Sequence, residues 1–487
     1  MTRPFDRDHH RVARGIRPPA PARPRTWIVL AAGLLLGAAL AFVPGRGLAG
    51  QGAGADDTAS PAAGSDRAAA QERVVALVGG MLLDGYEAPP IHRAAVLIRG
   101  DRIVEAGPAE QVEVPANARV IDTGGQTMLP GLIDAHVHFD LLGHGSYRRW
   151  YEFLAETDRL RDVLEISSRQ MLHAGVTTAL DLGAPLLLLD VRRDIRQGRI
   201  PGPRILTSGP WISRVPLGSL PSQYQNVVES PEEAARAARR QLEAGVDVVK
   251  TWAGVTEEDL EAVTEVAHEH GTKVHAHLYE PDAIRRALRA GADVLHHMGS
   301  GGTARYPEGI VREIVHRDLP VVQTVAHRSW VYPATLAFPE RLDDPELEES
   351  LPPEIHRELQ RSFEGFRRLS YFEDAPRQVR YRDASASQFI EANAVMGVGS
   401  DAASPLNFYT EAMWREMEAL VESGMTPIQV ISAATKTNAE ILDRGDELGT
   451  IEPGKLADII VVDGNPLADI RALDEVTHVV KDGAVVY

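Results

Sequence analysis

Short apolar runs and longer amphipathic stretches alternate along this chain in two different rhythms. Near the start, Val74-Val75-Ala76-Leu77-Val78, Ala95-Val96-Leu97-Ile98 and Ile103-Val104 read as strands, and Gly100-Asp101-Arg102 between the last two is a hairpin signal. The end of the chain is similar, with apolar runs at 457–463 and 476–487. The middle repeats another pattern, in which an amphipathic helix closes on glycine and a buried strand follows. Gly175 precedes Val176-Thr177-Thr178-Ala179-Leu180, and Gly245, Gly271, Gly291 and Gly397 precede similar runs. About eight such strands between Leu132 and Gly424 predict an α/β fold, a (β/α)8 TIM barrel of ordinary size. The expected barrel covers 131–444, and segments 72–130 and 445–487 together form a small β-sandwich domain. A doubly wound open sheet is the alternative, but no glycine-rich dinucleotide or phosphate fingerprint follows an early strand.

The first fifty residues break both rhythms. Arg11, Arg14, Arg17, Arg23 and Arg25 precede an apolar run from Trp27 to Val43, and small residues follow. Residues 1–50 therefore read as a signal peptide or a single membrane anchor, and 51–71, rich in Gly, Ala, Ser and Asp, as a flexible linker. Positive-inside asymmetry then puts the body outside the cytoplasm, periplasmic or extracellular. The chain's net charge of -18 weighs against nucleic acid as a partner and leaves a small-molecule substrate, with homo-oligomerisation open. The absence of cysteine removes thiolate metal sites, thiol nucleophiles and disulfides.

Any metal must therefore be held by His, Asp, Glu or a modified Lys. In Gly131-Leu132-Ile133-Asp134-Ala135-His136-Val137-His138 an apolar run ends in two histidines at i, i+2, which a strand presents on one face. Lys250, His275, His297 and Asp401 each fall about four to six residues beyond one of the glycines, at a strand's carboxyl end. A parallel barrel gathers those ends on one rim. A buried lysine loses its proton readily, and its neutral amine can add carbon dioxide to give a carbamate that bridges two cations. His275 and His277 repeat the i, i+2 spacing; His275 is taken as the ligand and His277 as facing substrate. Adjacent His296 and His297 point to opposite strand faces, so only one is a ligand. Asp401 could instead cap the next helix. His327, which follows a strand-like run, could touch substrate, and His144 and Tyr147 could line the pocket.

Together these residues resemble the amidohydrolase superfamily, in its imidazolonepropionase-like and metal-dependent prolidase-type branch. The resemblance runs from about Val74 to Tyr487. It rests on Leu129-Pro130-Gly131 through His138, Val249-Lys250, Val274-His275-Ala276-His277, His297, Gly399-Ser400-Asp401 and Leu448-Gly449-Thr450-Ile451-Glu452-Pro453-Gly454-Lys455-Leu456-Ala457-Asp458-Ile459. It implies two divalent ions, zinc being expected. His136, His138 and Asp401 would hold one, a carboxylated Lys250 would bridge, and His275 and His297 would hold the other. The choice of His297 over His296 comes from the resemblance, because the family's ligand commonly follows an acidic residue, replaced here by His296. Asp401 would also shuttle protons.

The departures concern substrate. Pro210-Trp211-Ile212-Ser213-Arg214-Val215-Pro216 replaces a Gly- and His-rich loop of peptidase-like relatives, and Pro405-Leu406-Asn407-Phe408-Tyr409 stands where relatives often carry His-Gly. Trp211, Trp330 and Phe408 could wall a more apolar pocket, under a lid between Tyr332 and Arg380. The expected activity is hydrolysis of an amide or peptide-like C–N bond by a hydroxide activated between two metal ions, as in a dipeptidase or N-acyl amino acid hydrolase. A single-metal cyclic-amide hydrolase or deaminase, and a barrel that binds without catalysis, are the alternatives.

Overall fold

The computed structural model describes residues 73–487 except 217–219, 221, 300–303, 328–330, 332, 334–344 and 365–369. The expected signal or anchor at 1–50, the linker at 51–71 and Trp330 lie outside the described residues. Among the described residues no helix is long and apolar enough to cross a membrane.

The two all-β ends come together. One sheet runs in the order Arg102–Pro108, Ala94–Arg99, Val74–Val78, Arg119–Asp122. The other runs Ala484–Val485, Val476–Lys481, Ile459–Asp463, Gln126–Pro130, Met81–Leu82. The pairing of Ile459–Asp463 with Gln126–Pro130 is antiparallel and joins the chain's end to its early part. Alternate residues point inward, as strand geometry requires. Val75, Leu77, Val96 and Ile98 of the first sheet share one apolar cluster with Met128, Ile459, Val461 and Val480 of the second.

Between these ends lie parallel strands alternating with helices. Leu132–Val137, Val176–Asp181 and Arg204–Thr207 form one parallel sheet. Val249–Thr251, Val274–His277, Val294–His296, Val321–Gln323 and Met396–Val398 lie in order in a second, which begins with the short strands Asn226–Val227 and Ile212–Ser213. Backbone hydrogen bonds link the two sheets at both margins. The Asp247 amide donates to the Thr207 carbonyl at 2.8 Å, and the Asp401 amide donates to the His136 carbonyl at 2.9 Å.

Helix Pro231–Ala244 illustrates the repeat. Ser230 accepts from the Glu233 amide, Pro231 opens the first turn, and Gly245 ends the helix at φ 95°. Buried Ala234, Ala237 and Ala238 form its inner stripe. Gly397 departs from the expected pattern. The preceding helix ends at Glu391, Asn393 takes the left-handed conformation (φ 55°), and Gly397 sits inside a strand. Glycine is required there for space, because a Cβ would come within 2.7 Å of Ile441 Cδ1 and 2.9 Å of Asn438 Oδ1.

Asn438 ties the first strand to the last. Its Nδ2 donates to the carbonyls of Ile133 (2.6 Å) and Val398 (2.7 Å), and its Oδ1 accepts from the Val398 amide at 3.0 Å. Asn438→Ala would strand these buried backbone groups, and is expected to cost about 2–4 kcal/mol of stability, measured by denaturant unfolding.

Candidate active site

The site begins with a carboxylate inside an apolar strand. Asp134 accepts from the amides of His136 (3.1 Å) and Ser400 (3.0 Å) and from the Ser400 hydroxyl (2.5 Å). Burial pushes its pKa up to about 7, against the pull of those hydrogen bonds. It fixes the backbone from which His136 and Asp401 project.

His136 and His138 share a face, with ring centroids 5.3 Å apart. Asp401 Oδ1 lies 3.2 Å from His138 Nε2 and 3.8 Å from His136 Nε2. One ligand atom from each of these three residues lies within 4.8 Å of the other two, a spacing suited to a single metal ion. Asp401 adopts φ 55°, left-handed backbone that a non-glycine residue seldom takes, just past the last strand. Its other oxygen, Oδ2, is 3.4 Å from His327 Nδ1. His327, expected as a substrate contact, is fully buried there, with Ser404 Oγ 3.1 Å from its Nε2.

Burial raises the Asp401 carboxyl, but hydrogen bonds with His138 and His327 carry it well below the usual carboxylate range. His138 is raised despite burial, by the same Asp401. His136, His275, His296 and His297 are all held well below the ordinary imidazole value. Burial is the main cause; Lys250 adds to it at the first three, and His277 at His297. Neutral imidazoles are the form that binds metal.

Lys250 is buried, and its Nζ has no hydrogen-bond partner among the described residues. Burial lowers its pKa to about 7, although the negative charge of Asp401 pulls it back up. A buried amine that interacts electrostatically with Asp401 and His136, and has no hydrogen-bond partner among the described residues, fits a site built for a further group, either a cation or carbon dioxide on nitrogen.

The remaining histidines pair differently from expectation. His277 and His297 approach to 4.3 Å between centroids, whereas His275 Nδ1 lies 2.8 Å from His296 Nε2. His296 and His297 do not divide between two faces: their rings lie 4.7 and 4.6 Å from that of His136. The reason is local. The strand ends at His296, and His297 turns to φ 64°, so strand alternation no longer governs it. Thr324 Oγ1 is 2.9 Å from His297 Nδ1.

Aromatic rings surround this cluster. Trp211 stands perpendicular to His138 at 6.1 Å and lies 5.3 Å from Trp252. Trp252 is 5.9 Å from His277, and Tyr279 is 4.8 Å from His277 and 5.1 Å from His297. His138, Trp252, His277 and Tyr279 are half-buried, whereas His136, Lys250, His275 and His296 beneath them are buried. Trp252 and Tyr279 escaped sequence reasoning: each stands two residues beyond Lys250 or His277, past the end of the strand, where alternation no longer places a side chain. Tyr147 packs 4.8 Å from buried His144, and Phe408 packs against Gly143, where a Cβ would come within 2.7 Å of its ring.

A sequence profile of the amidohydrolase family matches residues 127–486. Ochratoxinase of Aspergillus niger is 25% identical over 460 residues, covering 85% of this chain and 86% of its own length. The 5-methylthioadenosine/S-adenosylhomocysteine deaminase of Moorella thermoacetica is 25% identical over 413 residues, covering 77% of this chain and 82% of its own. A crystal structure of a Bifidobacterium longum protein named as a candidate prolidase superposes with a TM-score of 0.67 at 28% identity, covering 85% of this chain and 95% of that one. With the family profile spanning parallel strands, site and C-terminal sheet alike, the chain belongs to the amidohydrolase family and is a hydrolase acting on carbon–nitrogen bonds.

Proposed function

We propose that this chain is an exported, two-zinc amide hydrolase whose substrate carries a planar apolar group beside the scissile bond. The carrying observation is the convergence of His136, His138 and Asp401 around one point; the buried amine of Lys250, which feels the charge of Asp401, supports it. The parallel strands close into a (β/α)8 barrel across the Asp247–Thr207 and Asp401–His136 hydrogen bonds, and the two flanking sheets form a sandwich. Export rests on the basic and apolar order of residues 1–50.

His136, His138 and Asp401 would hold a first ion. Lys250, as a carbamate, would help to hold a second together with His277 and His297, whose ring centroids are 4.3 Å apart. His277 takes the role expected of His275 because its ring lies 4.3 Å from that of His297, whereas the His275 ring packs against His296 at 5.0 Å. Carbamate formation consumes carbon dioxide and the neutral amine and releases one proton, and a lysine pKa near 7 keeps that amine available. When bound, divalent ions lower the pKa of water and polarise the scissile carbonyl.

The residues supply the rest. Asp401 accepts the proton of the attacking water and returns it to the nitrogen as the C–N bond breaks, so that amide and water become acid and amine. His327, 3.4 Å from Oδ2, keeps the carboxylate aimed. Trp211, Trp252 and Tyr279 pack the planar part of the substrate and exclude water. Ochratoxinase, which this chain matches over 86% of its length, makes ochratoxin a reasonable first probe.

A single-ion hydrolase or deaminase is the second reading. It is favoured by the completeness of the His136, His138 and Asp401 set on its own and by the deaminase relative.

Elemental analysis separates the two readings. Two zinc ions per chain are expected, falling to one or fewer in Lys250→Ala; one ion in both proteins would favour the second reading. Asp401→Asn is expected to keep most of the metal and lose about 10²–10⁴-fold in kcat, read from amide turnover after zinc loading. In a screen of N-acyl amino acids, N-aroyl amino acids and dipeptides, aromatic amides are expected to give the highest kcat/KM. Trp252→Ala should erase that preference while leaving zinc content unchanged.

A further inference from the structure

Beneath the site three imidazoles stand in line. His136 Nδ1 lies 2.9 Å from His296 Nδ1, and His296 Nε2 lies 2.8 Å from His275 Nδ1. All three residues are buried, and the far nitrogen of His275, Nε2, has no hydrogen-bond partner among the described residues. Each N···N contact needs one proton, and each neutral ring carries one. Only two arrangements satisfy both contacts. In the first, His136 Nδ1–H donates to His296, whose proton must then sit on Nε2 and donate to His275, leaving the His275 proton on Nε2. In the second every donation is reversed, and the His136 proton ends on Nε2, the atom that faces Asp401 at 3.8 Å.

A metal ligand needs a bare nitrogen. His136 can offer Nε2 only in the first arrangement. We propose that His296 and His275 are positioning residues, a tautomer relay that holds the His136 Nε2 lone pair toward the ion and is itself set in one direction by metal binding. The proposal rests on His136 being a ligand, as read above. Metal-binding histidines usually donate their other N–H to a carboxylate or a carbonyl, which can only accept. His296 both accepts and donates, so this support has two polarities, and coordination selects one. Each ring keeps one proton throughout: the proton lost to water from His136 Nε2 is matched by one taken from water at His275 Nε2. The selected arrangement makes His275 Nε2 a donor, so His275 supports the site from below rather than binding an ion.

The test uses the full chain labelled with 15N-histidine and titrated with zinc. Side-chain 15N shifts distinguish protonated from bare ring nitrogens, and His296→Gln and His275→Gln assign the resonances by their loss. In the zinc-loaded wild type, His296 and His275 are expected as Nε2–H tautomers. His296→Gln, whose carboxamide still accepts at one end and donates at the other, should bind zinc close to the wild type in competition with a chromophoric chelator. His296→Phe, checked for folding by circular dichroism, should bind about 10–100-fold more weakly. An Nδ1–H resonance at His296 in the loaded wild type would overturn the relay, as would undiminished affinity in folded His296→Phe. If the phenylalanine variant does not fold, the wild-type spectrum decides. A wild type that takes up no zinc would remove His136 as a ligand, and the relay with it.

Discussion

Asp134 is the constraint on which the site depends. The ligand-type residues of the first strand and those beyond the last are far apart in sequence, and they meet only if the seam between these strands is held in register. Asp134 holds it from within, because the same Oδ1 accepts from the amides of His136 and Ser400. A shift on either side is therefore felt on the other. Burying a carboxylate this deeply is unfavourable, and its pKa near 7 records that cost. Three hydrogen bonds offset it. Gly399 completes the seam, since a Cβ there would come within 2.6 Å of His136 Cβ. Backbone hydrogen bonding and steric room thus help to set the distances between His136, His138 and Asp401.

The electrostatics of the cluster then have a clear division. Four imidazoles are kept neutral mainly by burial, and Asp401 is kept ionised by the two histidines at its oxygens. Lys250 is the group that can change sign. As an ammonium it repels any cation from this space; as a neutral amine it does not. With the amine poised near 7, occupation by a cation and loss of the lysine proton favour each other, which is the usual linkage between metal binding and deprotonation.

Much of this was readable in the residues. The apolar run ending in His136 and His138 carries its own geometry, because a period of two puts both rings on one face. Asp134 was also visible in principle, as a lone acid in a run that is otherwise buried. Which of His275 and His277 lies against His297 was not readable. Both lie on one face, and what separates them is the register of neighbouring strands: His275 stands beside Lys250, and His277 beside His296. Nor did alternation serve at His297, where the backbone leaves the strand for a positive φ that no local residue type announces. Gly397 misled in a different way. Glycine before a strand usually marks a turn, but here the demand comes from Ile441 and Asn438, residues brought in by tertiary packing.

The aromatic mouth and the polar floor also act on each other. Trp252, Tyr279, His138 and His277 are the half-exposed members of the set, so whatever covers them controls how much water reaches Asp401. A planar group seated against Trp211 and Trp252 would displace that water and lower the local dielectric, strengthening the hydrogen bonds that hold the Asp401 carboxylate. A small aliphatic group would leave the mouth wet and the same bonds weaker. Under the proposed mechanism the rings would do more than enlarge the binding area: they would make the Asp401 carboxylate sensitive to the shape of what lies above it, and selectivity would fall on turnover as well as on binding.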